Sequence, residues 1–467
     1  MGNKKNNKKL KILLSTIVIF YAFFGNIQTV PAAFNPDTKI YSEGVFMINT
    51  ATDMVVYQKK HTEKFFPAST TKIMTALITI ENIPNLDEFV DIPALVMDEF
   101  SSSDLNKYGP SHADIRPGQT NVTYRDCLYA LMIVSACEAA NILAYNVGGG
   151  DMSKFVDMMN EKALELGCKN TNFGNPHGLH QEDNYSTPYD MYLITKYVYE
   201  NYPEFMDICS AYEYDMPPNS NNPGGYTIFT TNLLLNPTSD YYYEYAKGVK
   251  TGSIDLYYDL ISGEAAEGHA SLVSIAERNG YTYILVTMGA PYYDTDGTET
   301  KGNYHFKDHL ALYNWAFDYF EYKTVLTKND IVATMPVLQG ENSDTIQLKP
   351  MDDYFTLLPK EVNESAIQRR INTDKEAINA PVEKGEILGS VELRLADETL
   401  VTVQLVAADS VQKSAVAEFT DNVRKVLDQT WLKAGLIVLA ILLITLMVVG
   451  TVIKSKNSKN KNRRIKR

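Results

Sequence analysis

Twenty consecutive uncharged residues near the carboxyl end, at 434–453, limit the folds that are open to this 467-residue chain. As an α-helix they would be about 30 Å long, which matches the hydrocarbon core of a bilayer. The segment that follows holds eight Lys or Arg and no acid, so the positive-inside rule places it in the cytoplasm. We therefore predict a transmembrane helix at 433–453, a basic cytoplasmic tail at 454–467 and a body on the other side of the membrane.

The amino-terminal segment has the organisation of an export signal. Residues 1–11 carry five lysines and no acid, residues 12–24 form an apolar run, and small residues follow at the offsets that suit cleavage. We predict a signal peptide at 1–32. A retained anchor stays open as the alternative, although this apolar run is short for a membrane span. Both ends of the chain indicate a single-pass protein of the cell membrane with an extracytoplasmic body.

The body is strongly acidic once both ends are set aside. It keeps 30 of the 43 basic residues and all 57 acidic ones, so its net charge is about −27 rather than −14. Because nucleic-acid binding requires a basic surface, this charge argues against nucleic acid as a partner. The chain has only four cysteines, none at a zinc-type spacing, and they predict small buried side chains rather than a disulfide scaffold.

Strand-like and helical patterns divide the body into two parts. Between 33 and 325, short β-rich runs lie at both ends, helical patterns lie between them, and Asn279-Gly280 is a strong hairpin signal. This order predicts a mixed α/β domain. From 326 to 415, short strand-like runs separated by turn residues predict a small all-β domain. A stalk at 416–432 then leads to the membrane helix.

A lone lysine stands in the apolar stretch "FFPASTTKIMTALITIE". Lys72 is the only charged side chain before the final glutamate, and Ser69 lies three residues earlier, on the same face of a helix. The preceding proline suits a helix entrance, which puts Ser69 in a first turn with free backbone N–H groups. Burial lowers the pKa of a lysine, and an unprotonated amine can take a serine proton. The same Ser-x-x-Lys spacing recurs at Ser410 and Ser458, where we interpret it as chance.

Two distant segments strengthen the interpretation of Ser69 as a nucleophile. Lys250-Thr251-Gly252 follows a strand-like stretch, and a basic residue, a hydroxyl and a glycine on a strand edge can bind a terminal carboxylate. Ser135 lies in a break between two helical patterns, where a hydroxyl can point into a cleft. A helix cap for Ser135 and a surface position for Lys250 are the alternatives.

Taken in order, these motifs resemble those of the serine-type D-Ala-D-Ala carboxypeptidases, the low-molecular-mass penicillin-binding proteins of the peptidase S11 family. The resemblance is carried by "FPASTTKIMTAL", "STPYDM", "FTTNLLL", "GVKTGS" and "AERNGYTYILVTMGA". The segments "APVEKGEILGSVELRL" and "VQLVAADSV" resemble the C-terminal β-domain of the family. The resemblance implies a β-lactamase/transpeptidase-like domain, with an antiparallel sheet flanked by helices, followed by the small all-β domain.

The resemblance also implies a role for each site residue. Ser69 is expected as the nucleophile, Lys72 as its general base, and Ser135 as a proton relay toward the leaving amine. The N–H groups of Ser69 and Ser253 are expected to form the oxyanion hole. The positions implied to bind the substrate are Lys250, Thr251, Gly252, Ser253 and Cys137.

The implied reaction is acyl transfer on peptidoglycan stem peptides that end in D-Ala-D-Ala. Ser69 attacks the peptide carbonyl, D-alanine leaves, and water hydrolyses the resulting ester. β-Lactam antibiotics are expected to acylate the same serine. The resemblance implies no metal and no cofactor, and we interpret His177 and His180 as structural residues.

Two features depart from the pattern of the family. Cys137 stands where the family has an asparagine, and a thiol cannot replace the two-sided hydrogen bonding of a carboxamide; Asn141 lies four residues further along the same helical pattern. The stretch 254–270 is longer than the family leads us to expect. The alternatives are a D,D-endopeptidase, a D,D-transpeptidase, a β-lactamase, or a catalytically weak wall-associated protein that binds muropeptides or penicillin. Cys137 is the main support for the last of these.

Overall fold

The computed structural model describes residues 28–29, 35–101, 111–254, 257–258, 265–266, 268–294, 302–373, 375–395 and 398–464. Two compact units are present. The first runs as far as Val325 and also includes Phe355–Ile367 and Leu395–Val401. The second contains Leu326–Tyr354, Gln368–Arg394 and the chain from Thr402 onward. The units are therefore not divided at a single point of the sequence.

The first unit is built on a sheet. The strands as far as residue 326 are β1 (Gln28–Thr29), β2 (Gly44–Asn49), β3 (Met54–Lys59), β4 (Glu213–Met216), β5 (Tyr226–Phe229), β6 (Ala246–Ile254), β7 (Tyr257–Tyr258), β8 (Ala265–Ala266), β9 (His269–Arg278), β10 (Tyr281–Pro291) and β11 (Phe320–Leu326). Six of them form the sheet in the order β1-β3-β2-β10-β9-β6. All neighbours pair antiparallel except β1 and β3, which pair parallel.

The helices of the first unit lie between strands at its two ends, as the sequence predicts. They are α1 (Lys72–Asn82), α2 (Tyr124–Ile133), α3 (Cys137–Val147), α4 (Met152–Glu165), α5 (Pro188–Asn201), α6 (Pro203–Cys209) and α7 (Tyr304–Tyr319), with 3-10 turns at Ala68–Thr71 and Ala94–Ser101. The Asn279-Gly280 hairpin joins β9 to β10, and both residues have positive φ (54° and 80°), as a type I′ turn requires.

Alternating side chains on β10 place helices on both faces of the sheet. Val286 lies opposite Phe46 of β2, whose ring packs against Tyr192 of α5. The next residue, Thr287, points to the other face, where its hydroxyl lies 2.9 Å from Nε2 of His309 in α7. An antiparallel sheet with helices on both faces is the architecture that the sequence predicted, so the fold class is confirmed.

The second unit is rich in short strands. The strands beyond residue 326 are β12 (Ala333–Leu338), β13 (Thr345–Pro350), β14 (Tyr354–Pro359), β15 (Gln368–Asn372), β16 (Ile378–Asn379), β17 (Ile387–Leu395) and β18 (Glu398–Ala407), with a 3-10 turn at Glu364–Ala366. A six-stranded sheet has the order β15-β17-β18-β13-β12-β16, whereas β14 from Phe355 onward and the 3-10 turn belong to the first unit, in which β14 pairs with β11. Buried residues alternate with less buried ones along β12 and β13, so one face of this sheet forms a core.

Two helices end the described chain, α8 (Ala415–Leu427) and α9 (Thr430–Arg464). Within α9, Lys433–Ser455 is the one stretch of the described residues that is long and apolar enough to cross a membrane, and it has no buried part. The predicted signal peptide lies outside the described residues except for Gln28–Thr29, which pair with β3. All four cysteines are buried and unpaired.

Candidate active site

Ser69 lies in a tight turn with a strained backbone. The 3-10 turn Ala68–Thr71 precedes α1, and Ala68 has a φ of 50°, in the left-handed region that L-residues rarely adopt. The hydroxyl of Thr70 donates to the carbonyl oxygen of Pro67 (2.6 Å), which closes the turn. The proline marks the entrance as predicted, but the α-helix itself begins only at Lys72.

Lys72 is fully buried beside the partly exposed Ser69. Its Nζ lies 3.0 Å from Oγ of Ser69 and 3.6 Å from Sγ of Cys137, and it also donates to the carbonyl oxygen of His177 (2.5 Å). A neutral amine has two N–H groups and one lone pair. When the N–H groups point to His177 and Cys137, the lone pair faces Ser69. In this arrangement the amine can accept the proton of the serine hydroxyl.

The surroundings of Lys72 favour its neutral form. Burial lowers the pKa of Lys72 below its ordinary value, and the opposing influence of Cys137 and Glu138 is smaller. Its hydrogen-bond acceptors in the described part of the chain are a hydroxyl, a thiol and a carbonyl, so none of them is a carboxylate. A buried amine without a carboxylate partner is the form of lysine that can act as a base.

Ser135 lies in the predicted break between α2 and α3, two residues before Cys137. Ser135 has a φ of 65° and is 5% exposed, and its Oγ has no hydrogen-bond partner among the described residues. Cys137 begins α3, and its backbone N–H donates to the carbonyl oxygen of Ser111 (2.8 Å). Burial raises the pKa of the Cys137 thiol, so the sulfur faces Lys72 as a neutral group.

The segment Lys250-Thr251-Gly252 lies on β6, directly beside the Ser69 turn. A Cβ at Gly252 would stand 3.0 Å from the carbonyl oxygen of Pro67 and 3.1 Å from the nitrogen of Thr70, so glycine permits this close approach. β6 ends the order of the described sheet. An extended peptide can pair with such an edge strand through its backbone.

Lys250 is the second buried amine of the site. It is 1% exposed, and its Nζ donates to the carbonyl oxygen of Thr251 (3.1 Å). The hydroxyl of Thr251 lies 2.9 Å from that of Thr231. Burial and the neighbouring Lys72 lower the pKa of Lys250 well below its ordinary value. A carboxylate that entered the site would supply the missing opposite charge and favour the protonated amine.

Some candidates lie at the margin of this arrangement. Ser253 is exposed and pairs in register with Ala270 of β9; its role in the oxyanion hole stays a prediction. Asn141 does not reach Lys72, because its Nδ2 donates to the carbonyl oxygen of Val96 (3.1 Å) and to Glu99. The structure describes about half of the stretch 254–270, including β7 and β8, which pair antiparallel.

Reasoning from the sequence missed two contacts of the site. The sequence indicates a structural role for His177, yet its carbonyl oxygen accepts a hydrogen bond from Lys72, and a backbone acceptor has no side-chain signature. The nearest signal is the glycine that follows: a Cβ at Gly178 would stand 1.9 Å from the carbonyl oxygen of Ala68, so this loop packs on the Ser69 turn. Thr231, whose hydroxyl contacts that of Thr251, lies in the motif "FTTNLLL", but nothing in the sequence distinguishes it from its neighbours.

A serine–lysine pair beside the edge strand of an antiparallel sheet with helices on both faces defines a class of acyl-transfer enzymes. The family model described as D-alanyl-D-alanine carboxypeptidase, peptidase S11, matches residues 29–292, which is more than half of the chain. The chain belongs to this family. A second model, the C-terminal domain of penicillin-binding protein 5, matches residues 320–413. The recognition made from the sequence is confirmed, as is the assignment as a serine-type D-Ala-D-Ala carboxypeptidase.

Three relatives illustrate the similarity. D-alanyl-D-alanine carboxypeptidase DacF of Bacillus subtilis is 28% identical over 419 residues, covering 88% of this chain and 97% of its own. D-alanyl-D-alanine carboxypeptidase of Streptomyces sp. K15 is 31% identical over 294 residues, covering 60% and 93%. A solved cysteine-to-alanine mutant of K15, described as a DD-transpeptidase, has a TM-score of 0.50 at 28% identity, covering 60% and 100%. Penicillin-binding protein 5 of Haemophilus influenzae shares the fold at 22% identity (TM-score 0.58; 81% and 100% covered).

Proposed function

We propose that this chain removes the terminal D-alanine from peptidoglycan stem peptides through an acyl-enzyme on Ser69. The observation that carries the proposal is the fully buried Lys72, whose Nζ lies 3.0 Å from Oγ of Ser69. The lowered pKa of Lys72 supports its use as a base, since the amine must be neutral to take a proton.

Acylation begins when Lys72 takes the proton of Ser69 and the serine oxygen attacks the carbonyl between the two D-alanines. The oxyanion that forms would accept hydrogen bonds from the N–H groups of Ser69 and Ser253. Ser135, whose hydroxyl has no partner among the described residues, would pass the proton to the leaving D-alanine amine. Water then hydrolyses the ester and releases Ser69.

Recognition of the substrate would depend on its terminal carboxylate. Lys250, on the edge strand, is buried, and the hydroxyl of Thr251 lies within 3.5 Å of its Nζ. A carboxylate between these groups would form charge-assisted hydrogen bonds and neutralise a buried cation. The carboxylate of a β-lactam antibiotic would occupy the same position, with Ser69 attacking the lactam carbonyl.

The predicted organisation of the chain is part of the proposal. We infer a catalytic domain at 33–325, an all-β domain at 326–415, a stalk at 416–432 and a membrane helix at 433–453, after removal of a signal peptide at 1–32 that includes the short strand β1. The stretch Lys433–Ser455, long and apolar enough to cross a membrane, supports this inference. The body would then act on the wall from the outer surface of the cell membrane.

Transpeptidation is the second candidate reaction, and one observation favours it. The solved K15 relative is described as a DD-transpeptidase. In that reaction an amine from a second peptide, instead of water, would attack the ester on Ser69. The acyl-enzyme is common to both reactions, so the competition between water and an amine decides the product.

The test uses labelled penicillin and a D-Ala-D-Ala peptide with the full chain in detergent. We expect labelling and D-alanine release in the natural protein and the loss of both in Ser69→Ala. Ser410→Ala is the matched control, because Ser410 and Lys413 repeat the same spacing; it should keep both activities. An added glycine acceptor that is incorporated into product would indicate transpeptidation. Labelling without release would indicate a weak penicillin-binding protein, and no labelling would contradict the proposal.

A further inference from the structure

The carbonyl group of His177 supplies one of the two acceptors that orient the amine of Lys72. Residue 177 precedes Gly178, which has a φ of 78° and whose N–H donates to Oδ1 of Asn175 (2.6 Å). The direction of the His177 carbonyl therefore depends on how this loop is held. A small rotation of this peptide would remove one hydrogen-bond acceptor from Lys72. The amine could then rotate, and its lone pair would no longer point at Ser69.

The imidazole of His177 is held by contacts on both of its nitrogens. The backbone N–H of Leu179 donates to Nδ1 (3.1 Å), so the ring proton lies on Nε2. Nε2 lies 3.0 Å from Oε1 of Glu99, to which it donates. The ring is 2% exposed, and burial lowers the pKa of His177 despite the opposing influence of Glu99. A neutral ring with one acceptor and one donor has a single orientation here.

Glu99 is in turn held by α3. Nδ2 of Asn141 donates both to Oε1 of Glu99 and to the carbonyl oxygen of Val96 in the same 3-10 turn, Ala94–Ser101. Burial alone would raise the pKa of Glu99, but the hydrogen bonds from His177 and Asn141 lower it on balance. The carboxylate is therefore charged and accepts charge-assisted hydrogen bonds from two neutral donors, although its side chain is 45% exposed and solvent also reaches it.

These contacts link three segments that are distant in the sequence. Asn141 lies one helical turn after Cys137, the other acceptor of Lys72, and Glu99 connects it to the loop that carries the His177 carbonyl. Helix α3 therefore acts on the amine of Lys72 in two ways. Cys137 contacts the amine directly, and Asn141 acts on it through Glu99 and His177. Among the described residues, the hydrogen-bond partners of Lys72 are Ser69, Cys137 and His177, so Asn141 and Glu99 act on it only indirectly.

We propose that Asn141, Glu99 and the His177 side chain are positioning residues for the general base: they hold the His177 carbonyl at Nζ of Lys72, so that the lone pair of the neutral amine points at Ser69. The inference depends on the proposed function, since it assigns Lys72 the role of base. Catalysis is sensitive to such placement, because a misplacement of about 1 Å can cost about 100-fold in rate.

The test measures the rate of acylation by labelled penicillin in Glu99→Ala, Glu99→Gln and Asn141→Ala, with the full chain in detergent. In Glu99→Ala we expect the acylation rate at saturating penicillin to fall about 30- to 100-fold. The concentration of penicillin that gives half the maximal rate should change less than about threefold, because no residue of the carboxylate site is altered. Glu99→Gln keeps an acceptor for His177 and should recover most of the rate. Asn141→Ala should show an intermediate loss.

The fraction of protein that becomes labelled separates positioning from a structural role. A positioning role leaves this fraction and the melting temperature close to those of the natural protein, and lowers only the rate constant. Rate constants within threefold of the natural value in both alanine variants would overturn the proposal. A labelled fraction that falls together with the melting temperature, at an unchanged rate, would also overturn it. If the natural protein itself is not labelled, the proposed function fails instead, so the two failures are distinguishable.

Discussion

Two features of Ser135 reduce the stability of the folded protein. Its backbone lies in the left-handed region at a φ of 65°, and its buried hydroxyl has no partner among the described residues. A buried polar group without a hydrogen bond costs about 1–3 kcal/mol, and a non-glycine residue in this region adds strain. Costs of this kind are typical of groups that are satisfied only when the substrate is bound.

We therefore expect Ser135→Gly to be at least as stable as the natural protein, because glycine adopts positive φ without strain. Release of D-alanine should fall about 100- to 10,000-fold through loss of proton transfer. Thermal melting and D-alanine release are the measurements. Ser135→Ala is the control: it removes the same hydroxyl but keeps the strain, so it should match the activity loss without the gain in stability. A Ser135→Gly variant that is destabilised, or that keeps more than a third of the activity, would contradict this account.

The buried amine of Lys72 makes stability depend on pH. Its pKa is lowered in the folded state, whereas an unfolded lysine titrates near 10.4. Between these two values the unfolded state binds the additional proton, so the stability of the natural protein rises with pH. Lys72→Met lacks this group and should be about 1–2 kcal/mol more stable at pH 7, an advantage that shrinks toward pH 10.

Denaturant unfolding between pH 6 and pH 10 measures this effect. Lys154→Met, which removes an exposed lysine of α4, serves as the control and should change the stability at pH 7 by less than about 0.5 kcal/mol. A stability difference for Lys72→Met that did not depend on pH would mean that the amine is not held neutral by burial.

Sequence reasoning found the residues whose relation is local or motif-like. The i, i+3 spacing of Ser69 and Lys72 is a property of any helical turn, and the glycine at 252 is required by the close approach of the edge strand. Glu99 could not be found in this way, because it meets His177 across 78 positions of the chain. Nothing in the local pattern of either residue indicates the other, and only the folded structure brings them together.

At the scale of elements, the loop at Gly178 shows the same difference between what a local sequence pattern indicates and what only the folded structure brings together. Gly178 and Gly118 have nearly the same φ, 78° and 77°, but a Cβ would meet the carbonyl oxygen of Ala68 at 1.9 Å in the first case and nothing within 4 Å in the second. A side chain would strain the backbone at both positions, but it would also meet a steric contact at Gly178 only. The contact is made with the 3-10 turn at Ser69, where helical periodicity alone predicts a helix from the proline onward.

Gly178→Ala should therefore push the loop away from the Ser69 turn. We expect the loss of most penicillin acylation and a destabilisation of more than about 2 kcal/mol, from strain and steric contact together. Gly118→Ala, with strain alone, should cost about 1 kcal/mol and leave acylation unchanged. Unfolding by denaturant and the rate of labelling give both quantities. Equal effects of the two substitutions would show that the contact with Ala68 does not matter.

At the scale of the whole molecule, the composition of long segments predicts the organisation of the chain better than it predicts the residues of the active site. The apolar stretch, the basic tail and the acidic body are properties of long segments. Predictions from them do not depend on the correct assignment of any single residue. The elements that such patterns define were predicted well: the Asn279-Gly280 hairpin, the helix break at Ser135 and the strand-rich second part all occur in the structure. The domain boundaries stay a prediction; in the structure, Phe355–Ile367 and Leu395–Val401 belong to the first compact unit.

The helix α8 presents an apolar face to solvent. The apolar side chains Val416, Phe419, Val423 and Val426 of α8 are 40–79% exposed and recur at helical spacing. We expect the full chain to require detergent for extraction, because α9 contains the apolar span. A chain that ends at 432 should lose the span but keep weak, salt-resistant binding to vesicles through α8, whereas one that ends at 415 should remain in solution. Flotation with vesicles separates the three forms, and labelled penicillin verifies that each is folded. If the chain ending at 432 also stayed in solution, the apolar face of α8 would have no affinity for lipid, and attachment would depend on α9 alone.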